Sequence, residues 1–281
     1  SDVCSSDLIR RPAGPTAAER FSTRTRVLAG LLAFVMLGSL VTVTVMGFIA
    51  DGEDNGGTAD AGTAQVTPAA TTVIATECPS HDKTAGQILL FEHQPPFCLD
   101  ASSTYTAVFD TTEGEIKVVL DTVRTPNTAN NFVVLADYGY YDDTLLFRLD
   151  PTIAIIQGGA PHTNDWSDRG PGYTIADEGG LFRQSTNGML GPFTYEPGQL
   201  IMARSAGPNS SGAQFFFSSG PEVGRLDGQG SYIVFGDTDA AGLAVLEQIM
   251  DLYELDPSSP YGGGPTREVT VRSVTIVATD G

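Results

Sequence analysis

Residues 204–217 read Arg-Ser-Ala-Gly-Pro-Asn-Ser-Ser-Gly-Ala-Gln-Phe-Phe-Phe. Gly, Pro, Asn and Ser fill the first part, and each favours a loop for its own local reason. The loop runs straight into Gln214 and three phenylalanines, whose composition is that of a strand. Such a junction sets one side-chain amide beside an aromatic wall. That combination suits a ligand in which an apolar ring is flanked by an amide bond.

Most neighbouring segments also read as strands. Residues 105–110 and 115–121 alternate apolar and polar around Thr111-Thr112-Glu113-Gly114, the pattern of a β-hairpin. Thr125-Pro126 opens a helix, with Thr125 as N-cap, Pro126 at the first helical position, and Phe132, Val133, Leu135 and Ala136 on one apolar face. Residues 153–157, 199–202, 214–218 and 232–235 read as strands. Residues 241–252 form a second helix that buries Leu243, Val245, Leu246, Ile249 and Met250, and 269–277 is a final alternating strand. Many strands with one early and one late helix predict a mainly β domain, a closed antiparallel barrel capped by two helices.

Residues 27–50 are 24 residues without a charge, enough to span a bilayer. Arg10, Arg11, Arg20, Arg24 and Arg26 precede this run, and Asp51, Glu53 and Asp54 follow it. The positive-inside rule places 1–26 as a short cytoplasmic tail and the body outside the cell membrane. A cleaved signal peptide is the rival reading. Its apolar core is normally about 7–15 residues, so an uncleaved single-pass transmembrane helix at 27–50 is expected. No cysteine follows the run closely enough to be lipidated. Residues 51–76, rich in Gly, Ala, Thr and Asp, are expected to be a flexible extracellular linker. Globular composition begins near Cys78, giving an N-terminal extension over 77–103 and a main domain over 104–281.

Charge is unevenly spread. Residues 1–50 hold five Arg against three acids (+2), and the remainder holds ten Lys or Arg against 31 acids (−21). A body this acidic excludes nucleic acid as the expected partner. On the outer side of a membrane Cys78 and Cys98 are expected to form a disulfide. Two free thiols or a pair of metal ligands are the alternatives, although His81 and His93 make no zinc spacing with them. Cys4 is given no role. No metal or cofactor is called for, and a monomer is expected.

The 204–217 string resembles the core motif of cyclophilins, the peptidyl-prolyl cis-trans isomerases, whose usual form is Met-Ala-Asn-Ala/Ser-Gly-Pro-Asn-x-Asn-Gly-Ser-Gln-Phe-Phe. Four further segments match that family in order. They are Thr125-Pro126-Asn127-Thr128-Ala129-Asn130-Asn131-Phe132, residues 141–151 from Tyr141-Asp142 to Pro151, Gln157-Gly158-Gly159, and Leu226-Asp227-Gly228 followed by Val234-Phe235-Gly236. The match covers roughly residues 104–278, and the tethered arrangement is similar to membrane-anchored actinobacterial cyclophilins. The resemblance implies an eight-stranded barrel, no cofactor, and substrates that are proline-containing polypeptides.

The chemistry implied is modest in its needs. A prolyl amide isomerises over about 18–20 kcal/mol because resonance stiffens its C–N bond. An apolar cup for the proline and a donor aimed at the prolyl nitrogen stabilise the twisted state without nucleophile or metal. The resemblance implies that Arg148 is that donor, acting with Gln214. It implies that Gln157 bonds the substrate backbone, that Phe216 floors the cup with Leu226 at its side, and that Met202 and Ala203 line the groove. Ile153 and Ala154 fall where the family has Phe and Met. Counting back from Gln157 without a gap would put Leu149 in the arginine slot, whereas one extra residue after Pro151 restores Arg148.

The sequence departs from the family at several positions. Phe147 replaces a His, Ile153 a Phe, Arg204 an Asn, Arg225 a Trp and Tyr232 a late His, and one extra residue precedes Gly207. A smaller cup wall implies reduced activity or a changed preference, at a cost of about 1 kcal/mol or more in affinity. Arg204 and Arg225 are expected to bring positive charge to the groove edge and to favour acidic flanking residues. Two functions therefore stand: an isomerase for extracytoplasmic proteins, and a catalytically weak peptide-binding module on the same fold. The three histidines pair with no Ser or Cys in a recognisable hydrolase arrangement.

Overall fold

The computed structural model describes residues 77–186, 188–259 and 261–280. The expected tail, transmembrane helix and linker lie outside these residues. No helix among the described residues is long and apolar enough to cross a membrane. The domain is mainly β, with thirteen strands, two α-helices and one 3-10 helix among the described residues.

Eleven strands form one antiparallel sheet. In spatial order they are β11 (Tyr253–Leu255), β12 (Gly263–Pro265), β4 (Arg148–Asp150), β5 (Ile155–Gly158), β9 (Ser211–Ser218), β8 (Gln199–Arg204), β10 (Ile233–Thr238), β2 (Glu115–Leu120), β1 (Ser103–Thr111), β13 (Thr270–Asp280) and β3 (Thr144–Leu145). A separate ribbon pairs β6 (Arg183–Ser185) with β7 (Gly188–Leu190). Eight strands in a closed ring were expected, whereas this ladder has eleven and two ends. Strands of two or three residues, such as β3, β4, β11 and β12, are too short to show alternation in a sequence. Just after β3, two adjacent peptides bond to different parts of this sheet. Leu146 N donates to Val269 O at 2.9 Å beside β13, and Phe147 N donates to Gln157 O at 3.0 Å on β5.

The expected hairpin forms with Asp110 opposite Glu115. Its turn is held by Thr111, whose hydroxyl donates to Gly114 O and accepts from the amides of Glu113 and Gly114. Gly114 sits at φ 142°, a conformation L side chains rarely adopt. Helix α1 (Pro126–Asp137) carries Phe132 into a cluster of aromatic rings. Phe132 stacks on Tyr141 at 4.8 Å and meets Phe235 at 5.3 Å, Phe109 at 5.7 Å and Phe215 at 6.0 Å. Phe109 in turn meets Phe217 at 5.1 Å. These rings are fully buried and form the centre of the core.

The sequence predicted one buried face for α1, yet every residue from Thr128 to Asp137 is buried. The N-terminal extension covers the other face. Cys98 N donates to Asn130 Oδ1 at 2.6 Å, Asn130 Nδ2 donates to Pro96 O at 3.0 Å, and His81 Nδ1 lies 2.8 Å from Asp137 Oδ2. Phe91 is buried against Tyr138 at 5.3 Å. Cys78 and Cys98 are disulfide-bonded, which fixes both ends of this cover.

Thr125 holds the N-cap position of α1 with Pro126 in the first turn, as predicted, but its side chain makes no capping hydrogen bond. Its hydroxyl instead donates to Asp121 O at 3.0 Å, and the free helix amides are taken by Glu178 from a distant loop. Glu178 Oε2 accepts from Asn127 N at 3.2 Å and Asn127 Nδ2 at 3.0 Å, and Oε1 accepts from Thr128 N. The carboxylate also sits at the positive end of the helix dipole. Helix α2 (Ala240–Met250) is capped locally, since Asp239 Oδ1 accepts from the amides of Ala241 and Gly242. Leu246 and Ile249 are buried, while Leu243, Val245 and Met250 are half-buried.

Glu178→Ala is expected to cost about 1–2 kcal/mol in urea denaturation with an unchanged slope, as a lost helix cap does. Removing the disulfide with Cys78→Ser and Cys98→Ser is expected to cost about 3 kcal/mol through loop-closure entropy, read by the same titration.

Candidate active site

β9 presents its residues to two sides. Phe215 and Phe217 enter the aromatic core, so by the period of two Gln214 and Phe216 face the opposite way. Registers then carry that outer face across the sheet. Arg148 on β4 stands opposite Gln157 on β5, Gln157 opposite Phe216, and Phe216 opposite Ile201 on β8. Directly opposed residues in an antiparallel pair share a face. Arg148, Gln157, Gln214 and Phe216, all singled out in the sequence, are thereby brought together.

Polar side chains join them in a line. Arg148 Nη1 donates to Gln157 Oε1 at 3.0 Å, and Gln157 Nε2 donates to Gln214 Oε1 at 2.9 Å. Arg148 is 6% exposed. Its Nε donates to Tyr261 O at 2.8 Å and its Nη2 to Asp150 Oδ2 at 3.0 Å, while the Tyr261 ring lies 5.4 Å from the guanidinium carbon. A guanidinium has five N–H donors. Three are bound, which leaves one on each Nη without a partner among the described residues. The register separates two neighbours: Leu149 pairs with Ile156 and is fully buried on the other face, so Arg148 is the one that shares a face with Gln157. In the turn before β5, Ala154 takes φ 48°.

The Gly158-Gly159 pair lets β5 approach its neighbours. A Cβ on Gly158 would lie 2.7 Å from the Leu146 side chain, and one on Gly159, at φ 83°, would lie 2.9 Å from Ala213 O. Close packing here keeps Gln157 within reach of Gln214.

The remaining predicted residues are distributed less simply. Tyr232 is nearly buried and its ring meets Phe216 edge-on at 5.4 Å, so it forms a wall beside the phenyl floor. Burial raises its phenol pKa, opposed by the neighbouring Arg148 charge and a hydrogen bond with Gln229. Leu226 is buried on the 3-10 helix Pro221–Leu226 that follows β9. Ala203 is half-buried between two buried neighbours. Met202 pairs with Phe215 and is fully buried, so it faces the core and not the groove. Strand alternation gives the reason: Ile201, two residues before Ala203, holds the outward position. Ile153 and Ala154 sit in the turn ahead of β5. The residue on Gln157's face is Ile155, two positions earlier on the strand.

Both expected groove-edge arginines are engaged elsewhere. Arg204 is 6% exposed and paired with Asp177, Nη1 to Oδ1 at 2.9 Å and Nη2 to Oδ2 at 3.2 Å. It also donates to Ser231 O at 2.9 Å and Gly207 O at 2.6 Å. Asp177 Oδ2 accepts from Asn209 N at 3.0 Å, so the enlarged 205–210 loop is folded around this ion pair. Arg204 therefore lends no free positive charge to the groove. Arg225 is exposed and donates to Thr152 O across the turn before β5.

Three contributors escaped the sequence reading. Asp150 lies two residues after Arg148 on the same strand, a spacing that could have been read as a same-face pair. Tyr261 is 113 residues away from Arg148 and left no sequence signal. Ile155 shares the face of Gln157 through strand alternation alone and carried no motif match. Asp177→Asn is expected to cost about 3–5 kcal/mol in denaturation, because it leaves the buried Arg204 charge uncompensated. Arg225→Ala, at an exposed site, should shift stability by no more than about 0.5 kcal/mol in the same measurement.

Residues 106–276 match the family described as cyclophilin type peptidyl-prolyl cis-trans isomerase/CLD. The chain is 35% identical over 174 residues to the probable peptidyl-prolyl cis-trans isomerase B of Mycobacterium tuberculosis (strain CDC 1551 / Oshkosh), covering 59% of this chain and 52% of that protein. It is 32% identical over 178 residues to the protein of the same description in Mycobacterium leprae (strain TN), covering 62% and 57%. The chain thus spans about half the length of the curated relatives it matches. A crystal structure of a Cryptosporidium parvum cyclophilin type peptidyl-prolyl cis-trans isomerase in the presence of the dipeptide Ala-Pro aligns with a TM-score of 0.49 at 26% identity, over 62% of this chain and 99% of that one. The domain spanning residues 106–276 places this chain in the cyclophilin-type peptidyl-prolyl cis-trans isomerase family.

Proposed function

We propose that this chain isomerises X-Pro bonds in polypeptides that fold outside the cytoplasmic membrane. The observation that carries the reading is the row Arg148–Gln157–Gln214 beside Phe216, with two guanidinium N–H donors unengaged among the described residues. Phe216 and Tyr232 offer the proline ring an apolar floor and wall. Gln157 and Gln214 orient the flanking backbone. Arg148 donates to the prolyl nitrogen as its lone pair leaves resonance, an interaction stronger in the twisted state than in either planar isomer. Because Tyr261 O, Gln157 and Asp150 hold the guanidinium in advance, little reorganisation is needed when charge develops. The same reading takes the sheet as a closed barrel, supported by the adjacent Leu146 and Phe147 amides that bond to opposite parts of it. The uncharged run at 27–50 and its flanking charges support a membrane-anchored chain with this domain outside the cell. Monomeric action belongs to this proposal.

A second reading, a peptide-binding module with weak catalysis, is favoured by Asp150. Its carboxylate pairs with the arginine at 3.0 Å and offsets part of the charge that catalysis would use. Groove-edge positive charge no longer supports a preference for acidic flanking residues, since Arg204 is consumed by Asp177.

Isomerisation of a proline peptide by the 281-residue chain is expected to fall at least about 100-fold in kcat/KM in Arg148→Ala, the scale of removing one transition-state donor. Peptide binding measured in parallel should weaken far less. A parent rate equal to the uncatalysed rate, with binding retained, would establish the second reading instead.

A further inference from the structure

Trp166 is the single tryptophan of the chain, and it is 51% exposed. It does not stand alone. Its ring packs on Tyr261 with centroids 5.0 Å apart, and Tyr261 in turn covers the Arg148 guanidinium at 5.4 Å while accepting from its Nε. An aromatic shelf therefore runs outward from the arginine to a half-exposed indole.

The loop that carries Trp166 is fixed before any ligand arrives. Asp168 Oδ2 accepts from His162 N at 2.7 Å and Thr163 N at 3.1 Å, and Oδ1 accepts from Gly170 N at 2.8 Å. Asp165 Oδ1 accepts from both Ser167 N and Ser167 Oγ at 2.6 Å. Leu145 N donates to Asn164 Oδ1 at 2.9 Å, which ties the loop to β3. A large ring held half in water by a rigid loop keeps its apolar face available at little entropic cost, the character of an interaction anchor.

We infer that Trp166 and Tyr261 form an auxiliary subsite that takes a large apolar or aromatic side chain of the bound polypeptide, two to three residues from the proline. The spacing follows from the stack. The indole lies at most about 10 Å from the guanidinium, the span of about three extended residues. The chemistry follows from the surface: an indole face next to a tyrosine ring rewards aromatic and apolar groups through edge and face contacts. This inference rests on the reading of the Arg148 face as the proline-binding groove.

The test uses the 281-residue chain and two peptide series around one proline. One position two or three residues before or after the proline is set to Phe, Leu, Ala, Asp or Arg. In at least one series Phe should exceed Ala in kcat/KM by about 3–10-fold, carried by KM, the range of a single aromatic contact. That ratio should drop to near one in Trp166→Ala and persist in Trp166→Phe. Emission of Trp166, read for binding of the same peptides in the parent chain, should change more with Phe than with Ala, so a weakly active chain still gives a result. A ratio near one in the parent, a ratio that survives Trp166→Ala, or a preference for Asp or Arg would each overturn the subsite. Failure of the groove reading looks different: the Arg148→Ala variant would then bind and turn over every peptide as the parent does.

Discussion

The packing of Phe132 among Phe109, Tyr141, Phe215 and Phe235 is the contact on which the rest of this domain depends. It joins helix α1 to strands β1, β9 and β10 in one dry cluster. Once Phe215 and Phe217 are committed to that cluster, strand geometry leaves Gln214 and Phe216 only the other face. The site is therefore a consequence of core packing. A one-residue slip of β9 would exchange the two sets and lose both the core and the groove.

The same logic extends to the polar groups. Arg148 is almost fully buried, and a buried guanidinium is tolerable only when acceptors surround it. Asp150 on the same strand, Gln157 on the neighbouring strand and Tyr261 O from 113 residues away provide them. Arg204 shows the structural use of the same residue type. Its pairing with Asp177 is shielded from solvent and organises a loop, so burial alone does not mark an arginine of the candidate site. The difference lies in the neighbours. Arg148 shares a face with a Gln row and an aromatic floor, whereas Arg204 is enclosed by backbone carbonyls and a carboxylate.

The N-terminal extension has a part in this arrangement. It brings almost no regular structure of its own, yet it satisfies Asn130, covers Asp137 and buries Phe91 beside α1. Helix α1 is consequently sealed on both faces, and its first amides are capped by Glu178 from the opposite direction. The segments that seal α1 thus include ones 32 residues before it and 51 residues after it.

Local patterns in the sequence determined a good deal. Alternation over 105–120 specified the first hairpin, Pro126 marked the first turn of α1, and the Gln-Phe-Phe-Phe string set an amide beside an aromatic floor. These features are legible because side-chain periodicity and backbone restriction act over a few residues. Only the tertiary structure decided which residue joins the Gln row, since the register sets Arg148 opposite Gln157 while Leu149 is buried on the other face. It alone turned Met202 inward, cancelled the charge of Arg204, and brought Tyr261 beside Arg148 with Trp166 packed on Tyr261. Those outcomes depend on hydrogen bonds and ring contacts between distant segments, and no local pattern records which distant partner a side chain will meet.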